Sequence, residues 1–284
     1  MVGSFRQASP GRRAIAGSVQ SVGPATDPKY VAFFFVWWIV GVTHRRFPYA
    51  AAVATYALVH GSWHGAWCWE RLAPLLEQAG HDVIAMDLPI DDPTATCDTF
   101  ADVVCATLDG CGGDVVLVGH SYGGMMLPLI AARRPVRRLV YVCAYAPEVG
   151  RSLNDQLRDD PESFNPAANK GYRRDAHGRS VWFDYALARE MMYADCDERT
   201  AESAINRLRP HSTYPNTLVS SLTEFPSVPC TAVICTDDRL IRSMFAKRIA
   251  ERLGADVVEL PGSHSPFYSR PRELADVLLG IADQ

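Results

Sequence analysis

Apolar and polar positions along this chain follow two rhythms in turn. Short, nearly unbroken apolar runs occupy residues 56–59, 83–86, 115–118, 139–143, 232–235 and 257–260. Between them lie stretches whose apolar residues recur every three or four positions. Residues 67–79 carry Leu72, Leu75 and Leu76 on one stripe. Residues 100–108 form another such stretch, and residues 270–281 carry Leu274, Val277, Leu278 and Ile281. Apolar runs of this length predict strands buried on both faces, and the 3.6-residue period predicts helices packed over them. Alternation of the two predicts an α/β fold, with a mostly parallel central sheet covered by helices. The first run looks able to sit at a sheet edge.

After Pro147 this rhythm stops. Residues 148–225 hold helical patches at 185–193 and 200–208, separated by Pro, Gly and charged loops. A mainly helical cap inserted above the sheet fits that interruption. It divides the chain into an α/β core of residues 53–147 and 226–284 and a cap of residues 148–225. Phe164, Tyr172, Trp182, Phe183, Met191, Met192 and Tyr193 are candidates for the apolar underside of the cap.

Candidate chemistry clusters where the strands should end. The run 115–118 leads into Gly119-His120-Ser121-Tyr122-Gly123, a G-x-S-x-G strand–turn–helix pattern in which Ser121 would sit on a strained turn. The strand at 56–59 runs into His60-Gly61-Ser62, where Gly61 lets the backbone approach a substrate. The backbone N–H groups of Ser62 and Tyr122 are then the candidate donors to an oxyanion. Trp63, His64 and Trp67 either line a pocket or lock this loop. The strand at 232–235 ends in Thr236-Asp237-Asp238, and either aspartate could orient a histidine. The histidine expected is His264, in the Pro-Gly-Ser-His loop after the strand at 257–260. The order Ser, Asp, His fits a nucleophile, an orienting acid and a general base. Asp91 and Asp92 are expected in a solvated loop, and no G-x-G-x-x-G stands ready for a dinucleotide.

Composition narrows the field. The net charge is −4 and the basic residues are scattered, so no nucleic-acid surface is expected. Eight cysteines without a C-x-x-C pair, several of them inside apolar runs, predict buried free thiols and a cytoplasmic setting. Eight histidines without H-E-x-x-H spacing give no expectation of a metal. Residues 1–52 read as an extension that the fold does not need, polar and Gly/Ser-rich at 1–28 and intensely apolar at 30–42. Thirteen residues fall short of the roughly 20 that span a bilayer. Membrane contact through 30–42, or export, is the alternative if this extension is genuine. Oligomeric state is not legible.

These motifs resemble the α/β-hydrolase superfamily, and within it the plant hydroxynitrile lyase/methylesterase branch and its bacterial esterase relatives, including enzymes that cleave pyrethroid-like esters. The resemblance is carried by ALVHGSWHGAWCWERLAPLLEQAGHDVIAMDLP, VVLVGHSYGGM, VICTDDR and GSHSPFYSRPRELADVLLGIA, and covers about residues 54–283. It implies Ser121 as nucleophile, His264 as base, Asp238 as the acid, and Ser62 and Tyr122 as oxyanion donors. Lyase members carry lysine directly after the histidine, where this chain has Ser265. The implied activity is hydrolysis of small to medium hydrophobic esters through an acyl-enzyme, with no cofactor. Trp63, His64, Met125, Tyr145 and Trp182 are the candidate pocket residues. A thioesterase or C–C hydrolase would use the same three residues. A non-catalytic small-ligand binder on this fold is the third alternative.

Overall fold

In a computed structural model, residues 53–282 are described. The expectations for residues 1–52, including the apolar stretch at 30–42, lie outside them.

Six parallel strands build the sheet: β1 (Thr55–Val59), β2 (Asp82–Ala85), β3 (Val115–His120), β4 (Arg138–Val142), β7 (Cys230–Cys235) and β8 (Asp256–Leu260). Their spatial order is β2-β1-β3-β4-β7-β8. Side chains alternate faces along each strand, as the pleat requires. Tyr56, Leu58, Val116, Val118, Val140 and Val142 pack into one core layer. Ala57, Val59, Val115, Leu117, Leu139 and Tyr141 pack into the other.

The first layer is covered by α1 (Ala73–Gln78) and, after the one-turn α8 (Pro266–Ser269), by α9 (Pro271–Ala282), through Leu72, Leu76, Leu274 and Leu278, all at 0% exposure. Each such leucine contributes about 2 kcal/mol of burial. The Tyr56 hydroxyl donates to the Leu278 carbonyl at 2.9 Å and ties β1 to α9. The second layer is covered by α2 (Cys97–Thr107), α3 (Leu127–Ala131) and α7 (Ser243–Leu253). Thr96 starts α2 with a reciprocal cap shared with Thr99. Gly254, at φ +59°, ends α7.

Two expectations change here. The first strand is interior, paired with both β2 and β3. The edges are β2 and β8, and their side chains are correspondingly half-exposed. An unbroken apolar run marks a strand covered on both faces, which an edge rarely is. The stretch 67–79 is not one helix. A 3-10 turn at Ala66–Trp69 precedes α1. Pro74 has no N–H to give and would collide with the carbonyl four residues back, so a continuous helix stops there.

The segment between β4 and β7 holds α4 (Leu153–Asp159), α5 (Tyr185–Met192) and α6 (Glu198–Ile205). It also holds an antiparallel hairpin, β5 (Tyr172–Arg174) with β6 (Ser180–Trp182), that the periodicity does not reveal. Three-residue strands are too short to show a period. The readable signal is the turn, where the Asp175 carboxylate accepts from the N–H groups of His177 and Arg179 and Gly178 takes φ +75°. Of the seven candidate underside residues, Met191, Met192 and Tyr193 are buried, whereas Phe183 is 56% exposed. No helix among the described residues is long and apolar enough to cross a membrane.

Candidate active site

Ser121 follows a strand buried at every position and takes φ +52°. Only three described non-glycine residues share that sign, Trp63 and Cys143 being the others. A left-handed backbone on a residue with a Cβ is strained and needs its surroundings to hold it. Here the holding is done by close backbone approach. A methyl group at Gly123 would lie 2.5 Å from the Val59 carbonyl, and one at Gly124 would strike the Tyr145 carbonyl. The turn is thus wedged between the ends of β1 and β4, and the Tyr145 N–H donates to the Ser121 carbonyl at 3.1 Å. The chain continues as a 3-10 turn over Ser121–Met125, and the α-helix starts only at Leu127. Pro128, at the second position of α3, fits that late start.

The acid–histidine pair lies at the ends of the next strands. His264 Nδ1 is 2.7 Å from Asp238 Oδ2, and both side chains are almost fully buried. Asp238 Oδ1 accepts from the N–H groups of Leu240 and Ile241 at 2.8 and 2.9 Å. Asp237 has a different task. Its carboxylate accepts from the Gly262 N–H at 3.1 Å and holds the loop that carries His264. With Nδ1 donating to Asp238, the other imidazole nitrogen keeps its lone pair. His120 Nε2 donates to the His264 carbonyl at 2.9 Å, so the residue before Ser121 grips the histidine loop. The Cys143 sulfur lies within 4.8 Å of the Asp238 and His264 ligand atoms, a grouping that could in principle hold a metal ion. The Asp238 carboxylate already accepts three hydrogen bonds there, which disfavours that use.

The loop after β1 is fastened from several sides. His60 Nδ1 donates to the Gly61 carbonyl, and its Nε2 accepts from the Leu88 N–H. His64 Nδ1 donates to the Ser62 carbonyl at 2.7 Å, and its Nε2 accepts from the Tyr193 hydroxyl at 2.7 Å. Burial lowers His60 to about 4 and His64 to about 3, and it holds His120 well below the usual range. All three are neutral imidazoles at pH 7, as the accepting Nε2 atoms of His60 and His64 require. A methyl group at Gly61 would lie 2.8 Å from the His120 carbonyl and from Ser121 Cβ, so the loop passes against the turn itself. Among the described residues, no group accepts from the backbone N–H of Ser62 or Tyr122.

A cavity of about 450 Å³ opens beside these residues. Ser62 and Tyr122 line it, as do Trp63 and Tyr145; Ser121, 5% exposed, is not itself part of the lining, though Tyr122 directly after it is. Three candidate pocket residues lie elsewhere. His64 is turned inward by its bonds to Ser62 and Tyr193. Met125 lines a separate depression of about 80 Å³ beside Cys97. Trp182 packs edge-on against Trp63 and Tyr172, which puts it behind the wall. Phe164 and Tyr172 from the β4–β7 segment form part of the lining. So do Ser163, His211 and Asn216, which sequence reasoning does not single out. They lie in loops without periodicity, and nothing local distinguishes His211 from a surface histidine. Asp91 is indeed part of a loop network, paired with Arg209 at 2.9 Å.

A parallel sheet with a serine turn and an Asp–His pair at its carboxyl edge defines a class. The chain belongs to the α/β hydrolase family, whose profile matches residues 57–277. It is 31% identical over 251 residues to Methylesterase 2 of Arabidopsis thaliana, a match covering 80% of this chain and 95% of that protein. Among solved structures it is similar to polyneuridine aldehyde esterase, at 26% identity and TM-score 0.72, over 81% of this chain and 99% of that one. It also shares its fold with a pyrethroid hydrolase from Sphingobium faniae, at 24% identity and TM-score 0.70, over 81% and 98% of the two chains.

Proposed function

We propose that this chain is a serine carboxylesterase acting on small to medium hydrophobic esters. The observation that carries the reading is the His264–Asp238 pair at 2.7 Å, held by His120 next to the strained Ser121. His264 takes the Ser121 proton as Oγ attacks the ester carbonyl. Asp238 fixes the imidazole tautomer and stabilises its charged form. The N–H groups of Ser62 and Tyr122 receive the oxyanion, and their freedom from other partners supports that role. His264 returns the proton to the departing alcohol. Water, deprotonated by the same histidine, then attacks the acyl-enzyme, and the acid leaves as Ser121 regains its proton. No cofactor enters these steps. The names of the relatives, methylesterase and polyneuridine aldehyde esterase, support ester chemistry.

Residues 148–225 serve as the cap, and residues 53–147 with 226–284 as the core. Phe164 and Tyr172 would then meet the part of the substrate remote from the core. Ser265 is buried directly after the base, where a lysine would be needed to stabilise departing cyanide, so cleavage of a hydroxynitrile is not part of the reading.

The test is a graded panel of p-nitrophenyl and aryl-methyl esters, with Ser121→Ala run beside the native protein. Turnover should fall by about 10⁴-fold or more while the melting curve is kept. A variant that retains full esterase activity would sink the assignment.

A further inference from the structure

The cavity is not purely apolar. His211 lines it at 2% exposure, yet neither ring nitrogen has a hydrogen-bond partner. Ser163 lines it at 0% exposure with its hydroxyl unpartnered, and the Asn216 amide oxygen is likewise buried and unpartnered. Buried polar atoms in folded proteins are normally paired, so three residues that line one cavity and keep buried polar atoms unpaired call for a partner there.

His211 is held in place by its backbone. Its N–H donates to the Ser180 carbonyl at 3.0 Å and its carbonyl accepts from the Ser180 N–H at 2.8 Å. The Ser180 hydroxyl donates to the same carbonyl and accepts from the Trp63 indole N–H at 3.0 Å. The His211 ring meets Tyr122 edge-on at 5.1 Å, on the residue that follows Ser121. The imidazole is therefore positioned by both the β5–β6 hairpin and the loop after β1, and its own polar edge is left over. Burial lowers this histidine to about 3, which leaves it neutral in solution at pH 7. A neutral imidazole offers one donor and one acceptor.

We infer that His211, with Asn216 and Ser163, forms a polar subsite that selects esters bearing a neutral hydroxyl remote from the scissile bond. A hydroxyl both donates and accepts, which matches what the imidazole offers, and it can also donate to the Asn216 oxygen. This rests on the proposed reading that the cavity receives the ester, and it departs from a purely hydrophobic substrate. Losing such a group leaves the buried site unpaired, the situation in which enzymes discriminate strongly.

The test separates recognition from turnover. Binding of methyl 3-phenylpropanoate and its 2-, 3- and 4-hydroxyphenyl counterparts is measured by calorimetry on Ser121→Ala protein, which holds the ester without cleaving it. At least one hydroxylated isomer should bind tenfold or more tightly than the parent. His211→Leu in that background should cut the advantage below threefold, and Asn216→Ala should reduce it in part. Should the His211 variant fail to fold, Asn216→Ala decides. Isomers that all bind within twofold of the parent, no binding by any of the four, or an advantage that survives both substitutions would overturn the inference. Native protein that hydrolyses parent and isomers with equal kcat/KM counts against the subsite and leaves the esterase reading standing. Native protein that hydrolyses none, while the Ser121→Ala protein still discriminates, counts against the esterase reading and leaves the subsite standing.

Discussion

The carboxyl edge of the sheet and the segment between β4 and β7 face one cavity, but they are built by different means. At the sheet edge the groups that hold the acid, the histidine loop and the serine turn are paired or braced, and the two candidate oxyanion donors are left free. Asp238 accepts three hydrogen bonds, His60 and His64 each use both ring nitrogens, and the turn at Ser121 is wedged by Gly123 and Gly124. Across the cavity, His211, Ser163 and Asn216 keep atoms unpaired. Bracing suits groups that must hold one geometry through a reaction. Unpaired groups suit recognition, because their partner arrives with the ligand. The first region fixes its acid, its histidine loop and its turn before substrate arrives, whereas the second leaves side-chain polar atoms for the ligand to pair.

Acid is the broadest way to break the contrast, since it acts on buried histidines of both regions. His60, His64 and His211 are lowered to about 4, 3 and 3 by burial. The unfolded chain therefore binds protons below about pH 6.5 that the folded chain refuses, and stability falls as pH drops through that range toward the folded values. At pH 5 each of the three costs about 2 kcal/mol relative to pH 7.5. Urea midpoints at the two pH values should differ accordingly. Coincident midpoints would mean that these histidines are not buried neutral.

Asp238→Asn strikes the braced region alone. It keeps the shape but offers an amide to His264 Nδ1, favouring the wrong tautomer, so kcat should fall by about 10³- to 10⁴-fold. A loss under tenfold would remove Asp238 from the mechanism. Gly61→Ala pushes the loop off the turn, because its methyl group would crowd Ser121 Cβ and the His120 carbonyl. Displacing one oxyanion donor should cost about 10²-fold in kcat with KM little changed. An unchanged kcat would show that Ser62 is not one of the donors.

Tyr193→Phe is the mildest change and the sharpest test of how the regions connect. Its hydroxyl runs from the β4–β7 segment to His64, which in turn holds the Ser62 carbonyl. Removing it leaves a buried acceptor unpaired, at about 1–3 kcal/mol of stability. A three- to tenfold loss in kcat should accompany this, with little change in KM. A loss of stability with full kcat would mean that the segment braces the fold without positioning the oxyanion loop.

The contrast also explains what could be read from the sequence. Strand ends are marked by apolar runs and glycines, so His60-Gly61-Ser62, the turn at Ser121 and the loop at His264 were legible in their order. The choice between Asp237 and Asp238 was not legible from residue type alone, because it depends on which carboxylate faces His264 and which faces Gly262. Cavity-lining residues of the β4–β7 segment were mostly illegible. Trp182 and Phe164 look alike in composition, yet Trp182 packs behind Trp63 while Phe164 reaches the cavity. His211 owes its place to a backbone bridge with Ser180, 31 residues away, and no local pattern encodes that pairing.

The central claim is that Ser121 is an activated nucleophile. Incubation with a fluorophosphonate, followed by peptide mass spectrometry, addresses it directly. The account predicts one adduct per chain, on the peptide that contains Ser121, absent from Ser121→Ala and formed far more slowly in Asp238→Asn. No adduct, or an adduct on another residue that persists in Ser121→Ala, would contradict it.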